Sequence, residues 1–153
     1  MAPVQLQLFE IWTAQPDPRA RLDGNVTLTD KAKFEGESPE YEVISNNWLH
    51  VSGVRNAQMV TVKDNLASAS SEEDSHFIFI NTHLHNPMEE WSLGDYLRAH
   101  QTEQLLHWLK KRESEVKVDK VFAVGDFNSE PDSTTYRLMK EAGFASAYEQ
   151  IHG

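Results

Sequence analysis

The stretch VGDFNSEPDS, residues 124–133, decides how this chain is read. An apolar run, KVFA at 120–123, enters Gly125, Asp126, Phe127 and Asn128, and the chain breaks at Pro131. On an extended backbone, residues i and i+2 point the same way, about 6.6–7 Å apart. Asp126 and Asn128 then face one cleft at the end of a strand, and Phe127 points into the fold. Gly125 permits close backbone approach. The carboxylate can orient or deprotonate a water, or touch a metal. The amide can donate to a phosphate oxygen, or hold that water without adding charge. A second reading stays open: a strand-to-helix turn in which Asp and Asn serve only as caps.

Outward from this stretch, HFIFINTH at 76–83 alternates Phe77 and Phe79 against Ile78 and Ile80. Both faces are apolar, so an inner strand covered on both sides is expected. Residues 120–125 carry the same pattern, with Val121 and Ala123 opposite Phe122 and Val124. His83 falls where the first of these strands leaves the sheet. Its imidazole can hydrogen-bond a phosphate or act as acid or base near neutral pH. The alternative is a half-buried histidine satisfied by backbone. His85 adds an H-x-H spacing, but no third ligand stands at a spacing that suits zinc. In RAHQ, 98–101, Arg98 and Gln101 lie one helical turn apart on one side. They brace the strands from behind or reach a phosphate. His100 and His107 read as surface or core-edge residues of the same helix.

Further strands are expected at 4–12, with a parity shift after Leu8, and at 25–29, 41–45 and 57–63. Apolar residues at 93, 97, 105, 108 and 109 predict a helix over 93–111, polar at 103, 107, 110 and 111. A second helix is expected over 133–142, capped by Asp132 or Ser133 and closed by Gly143. The polar, Ser-rich stretch 64–75 reads as a mobile hairpin loop, and 14–24, with two prolines, as irregular. Early strands followed by alternating strands and helices point to an α/β fold: a two-layer β-sandwich flanked by helices.

Composition narrows the function. No run approaches the roughly 18 apolar residues of a membrane span. No signal peptide is visible, and an intracellular, cytoplasmic location is expected. With no cysteine, a thiolate zinc site and a cysteine nucleophile are excluded. The net charge of −10 argues against a broad basic groove for duplex DNA. An acidic protein can still cut a phosphodiester when a divalent cation supplies positive charge locally.

FINTHLH, LRAHQTEQLL and VFAVGDFNSEPDSTTY occur in that order. Together they resemble the endonuclease/exonuclease/phosphatase superfamily, which has the deoxyribonuclease I-like fold. GDFNSEPDS and the ending FASAYEQIHG are most similar to its nocturnin and Angel-type deadenylase branch. The resemblance is strong over about 76–153; residues 24–62 are compatible with it. It implies a Mg²⁺-dependent attack of water on a phosphate ester, with Mn²⁺ as the alternative ion. Carried over residue by residue, His83 matches the phosphate-contacting histidine, and Asp126 and Asn128 match the water-orienting pair. Arg98 and Gln101 match the helix positions that follow; with His85, Arg98 is a candidate substrate contact.

The departures are specific. The family opens with an Asn-bearing strand and then LQE, whose Glu holds the metal. Here LFEIW, 8–12, offers Glu10, either as that ligand beside Asp126 or as a plain surface acid. The connection from Glu10 to Gly24 is shorter than the family's. The family's closing Asp-His strand has no counterpart, and His152 comes too soon after Asp126. The resemblance therefore implies one partial domain, 1–153, truncated at both ends, with weak metal binding and weak or absent turnover. Three functions remain: a Mg²⁺-dependent 3′-exonuclease on single-stranded RNA such as poly(A); a phosphatase or phosphodiesterase of a small metabolite or lipid head group, shaped by loops 64–75 and 86–95; or a non-catalytic binding protein. In the last, a partner chain completes the sheet, or Trp91, Trp108 and Tyr148 line an interface.

Overall fold

Side-chain alternation along residues 75–83 organises the architecture. The computed structural model describes residues 8–10, 28–30, 33, 40–51, 55–69, 74–86 and 93–152, the side chains of 8–10, 28–30, 46, 48 and 50 excepted. Strands β1 (Leu8–Glu10) and β2 (Leu28–Asp30) pair antiparallel. Strands β3 (Tyr41–His50), β4 (Asn56–Asp64), β5 (Ser75–His83) and β6 (Lys120–Asp126) form a second sheet in that spatial order. Helix α1 (Asn65–Ala69) joins β4 to β5. The first two pairings are antiparallel, whereas β5 and β6 run parallel. Parallel neighbours need a long crossover, and helix α2 (Gly94–Glu115) supplies it.

Ile78, Ile80 and Thr82 on one face of β5 are buried. Ile78 and Ile80 meet Leu105 and Leu109 of α2, and Val51, Ala57 and Met59 complete this core. Each valine, leucine, isoleucine or methionine side chain here contributes about 1.5–3 kcal/mol on leaving water. Strand β4 is buried on both faces from Ala57 to Val62. Arg112 of α2 ties the layers: its Nε donates to Thr61 Oγ1 at 3.0 Å and its Nη2 to Ser45 Oγ at 3.2 Å.

Strand β6 departs from the expected inner strand. It is the edge of the sheet among the described residues. Phe122 is 43% and Val124 51% exposed, although Phe122 stacks on Phe79 at 5.1 Å between ring centroids. An apolar pattern on two faces records what each face can bury, not whether a layer covers it.

Helix α2 runs past its expected end at 111 to Glu115. Its buried stripe is Gly94, Arg98, Gln101, Thr102, Leu105 and Leu109. Half of that stripe is polar or charged, so apolar periodicity placed the buried face only in part, and Leu93 is exposed. Helix α3 (Thr134–Glu141) matches its expected ends: Ser133 Oγ accepts from Tyr136 N at 3.2 Å. At the other end, Phe144 N donates to Met139 O and Gly143 N to Lys140 O, both at 3.0 Å. This is a Schellman closure, and Gly143 at φ +92° provides its left-handed residue.

The expected loop 64–75 contains α1, because Asp64 Oδ1 accepts from Ala67 N at 2.9 Å and starts a turn. The strand expected at 41–45 continues to His50, with a register shift between Val43 and Ser45. Helix α4 (Ala147–His152) was not anticipated: it buries no residue, so it leaves no apolar period. The expectations for 14–24, for most of 4–12 and 25–29, and for Trp91 fall outside the described residues.

Candidate active site

The β5–β6 register sets His83 directly opposite Asp126, at the ends where both strands leave the sheet. Gly125 makes this approach possible. Its φ is +120°, and a Cβ there would stand 1.9 Å from Thr82 O. Leu84 N donates to Asp126 O at 2.9 Å, which carries the ladder one step past β5.

His83 Nε2 lies 3.8 Å from Asp126 Oδ2, with the two side chains 38% and 64% exposed. On the other ring nitrogen, Arg55 Nη1 stands 3.4 Å from His83 Nδ1. A guanidinium only donates. Nδ1 is therefore the acceptor, the ring proton sits on Nε2, and that N–H faces Asp126. The 3.8 Å gap exceeds a direct hydrogen bond and suits a bridging water or substrate oxygen.

Asn128 does not stand on an extended chain as expected. Its φ is +48°, in the left-handed region that Asn tolerates. Its backbone N–H donates to Asp126 Oδ1 at 2.8 Å, and its side-chain Nδ2 donates to Leu84 O at 3.0 Å. An Asx turn is thus present where the candidate site residues stand. The turn locks the Asp126 carboxylate and lashes β6 to the segment after His83. Phe127 lines an apolar cavity with Leu109, Val121, Met139 and Phe144.

Gln101 holds the chain beyond His83: His85 N donates to its Oε1 at 2.9 Å. The His85 Nε2 atom is buried without a hydrogen-bond partner. Arg98 is 8% exposed, and its Nε and Nη1 are buried without partners. Its Nη2 lies 3.8 Å from Asp95 Oδ1. Arg98 lines a cavity of about 430 Å³ with Asp95, Asn128, Glu130, Asp132, Ser133 and Thr134. Asn128 therefore joins the His83–Asp126 pair to the Arg98 cavity. Glu10 lies in β1 opposite Leu28, and its side chain is outside the described residues. Among the described residues, no three His, Asp or Glu side chains converge as a metal centre. None of the helices there is long and apolar enough to cross a membrane.

Arg55 was missed from the sequence. The signal was the hairpin register: with Ala57 opposite Thr82, a residue just before β4 reaches His83.

No protein-family model matches the chain. It is 27% identical over 138 residues to an uncharacterized calcium-binding protein of Arabidopsis thaliana, a match covering 87% of this chain and 27% of that protein. The human Nocturnin catalytic domain, solved with a bound sulfate anion, superposes with a TM-score of 0.62 at 18% identity over 74% of this chain and 41% of that one. An endonuclease/exonuclease/phosphatase family protein of Bacteroides thetaiotaomicron superposes with a TM-score of 0.52 at 14% identity, over 68% of this chain and 37% of that one. The chain thus spans about a quarter of the length of the curated relative and about two-fifths of each solved chain. Its fold is the deoxyribonuclease I-like α/β fold that these two solved chains share.

Proposed function

We propose that this chain carries part of the active site of a metal-dependent phosphodiester hydrolase. The observation that carries the reading is the His83–Asp126 pair on adjacent parallel strand ends, locked by the Asn128 turn. The Asp126 carboxylate is exposed enough to accept a proton from water, and its second oxygen is fixed by Asn128 N–H. The His83 Nε2–H can donate to a non-bridging phosphate oxygen, while Arg55 holds the ring in that tautomer. The Asn128 side-chain oxygen stays available to position the water. Arg98 and His85 are the proposed substrate contacts, each with a buried donor or acceptor still unmatched.

A Mg²⁺ ion commonly takes one or two carboxylates, with water and substrate phosphate completing its shell. Asp126 supplies one carboxylate, and Glu10 is the proposed second. Bound there, the ion would neutralise charge on the reacting phosphate. The relative from Arabidopsis is calcium-binding by name, so Ca²⁺ belongs beside Mg²⁺ and Mn²⁺ in any titration.

The substrate we propose is the 3′ end of a single-stranded RNA such as poly(A). The sulfate in the Nocturnin structure supports an anion-accepting site on this fold. A small phosphorylated metabolite is the second reading, favoured by the net charge of −10, which suits a pocket of one or two nucleotides better than a long backbone track. Parallel assays on oligoadenylate, dinucleotides and inositol phosphates separate the two. Cleavage lost in EDTA and in Asp126→Ala supports the hydrolase reading; full activity in EDTA rejects it.

A further inference from the structure

Among the described residues, β6 hydrogen-bonds to β5 on one side only. A free edge presents unpaired N–H and C=O groups, a template for another strand. Alternation puts Lys120, Phe122, Val124 and Asp126 on the face of β6 turned away from Val121 and Ala123, which pack against the core. All four are exposed. Lys120 has no ion-pair partner among the described residues. The row reads cation, aromatic, aliphatic, anion, and it is complementary to its own reverse.

We propose that β6 pairs antiparallel with β6 of a second copy of this chain, the twofold axis passing through Ala123. In such a contact, if one residue faces another, the second also faces the first. Centring on Ala123 sets Lys120 opposite Asp126 and Phe122 opposite Val124, each pair occurring twice. Directly opposed side chains on antiparallel strands come within about 4.5–5.5 Å at Cβ, close enough for ion pairs and apolar contacts. A shift that centres the axis on Phe122 sets Lys120 against Val124 and leaves Asp126 without a cation. A shift to Val124 sets Phe122 against Asp126. The charges thus select one register. The net charge of −10 on each copy opposes association; the two Lys120–Asp126 pairs and the covered apolar row favour it locally. In this dimer the Asp126 carboxylate is engaged by Lys120 of the second copy, so dimer and substrate compete for it. That consequence rests on the hydrolase reading; the dimer itself does not.

Light scattering across a concentration series tests the contact without reading hydrolysis. The chain of 17.5 kDa is expected to rise toward twice that mass. Lys120→Glu and Asp126→Lys each abolish the rise while keeping the far-ultraviolet circular dichroism of the parent. An equal mixture of these two variants restores it, since every opposed pair in the mixed dimer then joins a carboxylate to an ammonium. The double variant K120D/D126K, which keeps the pairs with signs exchanged, also dimerises. The proposal is overturned by a parent chain that stays monomeric at every concentration, by a Lys120→Glu variant as dimeric as the parent, or by mixed variants that stay apart. A monomer whose β6 amides resist hydrogen exchange would equally overturn it, because the chain's own residues would then cover the edge.

Discussion

His83 stands across the β5–β6 ladder from Asp126, with Nε2 3.8 Å from Oδ2, while Arg55 holds the far side of the same ring. Two parallel strands alone would bring the two residues to one end of the sheet. Gly125 brings the strands close enough there, and Asn128 then fixes the carboxylate. The pair's geometry depends on these supports.

Gly125→Ala tests the close approach. A methyl group would press on the Thr82 carbonyl, which is backbone and cannot rotate aside, and φ +120° is strained for any L side chain. The variant is expected to lose at least about 2 kcal/mol in urea unfolding. Its remaining folded fraction loses activity as well, since the register beside Asp126 shifts.

Arg55→Ala removes the donor that keeps the His83 Nδ1 lone pair engaged. Freed of it, the ring can flip or change tautomer. The expected result is about a 10–100-fold fall in kcat with a smaller change in KM, in line with lost orientation of a phosphate-contacting donor by its supporting partner. Equal kcat for variant and parent would contradict the tautomer assignment.

Arg98 and Gln101 share the buried stripe of α2 but should respond in opposite ways. Gln101→Ala leaves the His85 N–H without its acceptor and should cost about 1–3 kcal/mol. Arg98→Met retains the packing stem and removes a buried charge with two unmatched nitrogens. Its stability should stay within about 1 kcal/mol of the parent or improve, whereas KM rises if the guanidinium contacts substrate. Denaturant melts and steady-state kinetics on the two variants separate these effects.

Helix α4 buries nothing, so its docking depends on exposed bonds, chiefly Lys140 Nζ to Glu149 Oε2 at 2.6 Å. Lys140 holds the Glu149 carboxyl below its ordinary value of 4.5, and Glu149 raises Lys140 above 10.5. A lowered acid contributes stability above its unfolded value and loses it as pH falls through the folded one. A raised base contributes below its unfolded value and loses it as pH rises through the folded one. The tether is therefore complete between about pH 5 and 10. Protection factors of the 147–152 amides should be highest in that window, drop on the acid side, and lose the acid-side change in Glu149→Gln. Raised salt should weaken the effect, since both groups are exposed.

Local signals made much of this fold legible. The double-sided apolar alternation at 76–83 placed β5 to within a residue, and Ser133 and Gly143 marked both ends of α3. The partners of those signals were less visible. The buried stripe of α2 includes Arg98, Gln101 and Thr102, which an apolar period cannot register. Phe122 and Val124 have the composition of a covered strand, yet they stand at an edge. Asp126 stands opposite His83 at an extended strand end as expected, but Asn128 sits in a left-handed turn rather than on that extended backbone. The Asx turn, which the sequence offered as the alternative to a functional site, fixes the Asp126 carboxylate. Arg55 carries no motif, and its place follows only from the β4–β5 register.

Single-turnover cleavage of a short 3′-labelled oligoadenylate, with the 153-residue chain in excess, tests whether the His83–Asp126 pair supports phosphodiester hydrolysis. The excess registers even slow chemistry. The expected result is Mg²⁺-dependent release of product that EDTA stops and that Asp126→Ala slows by at least about 100-fold, the scale of a lost general base. Cleavage at the parent rate by Asp126→Ala, or no cleavage of this or any phosphate ester supplied with Mg²⁺, Mn²⁺ or Ca²⁺, would contradict it.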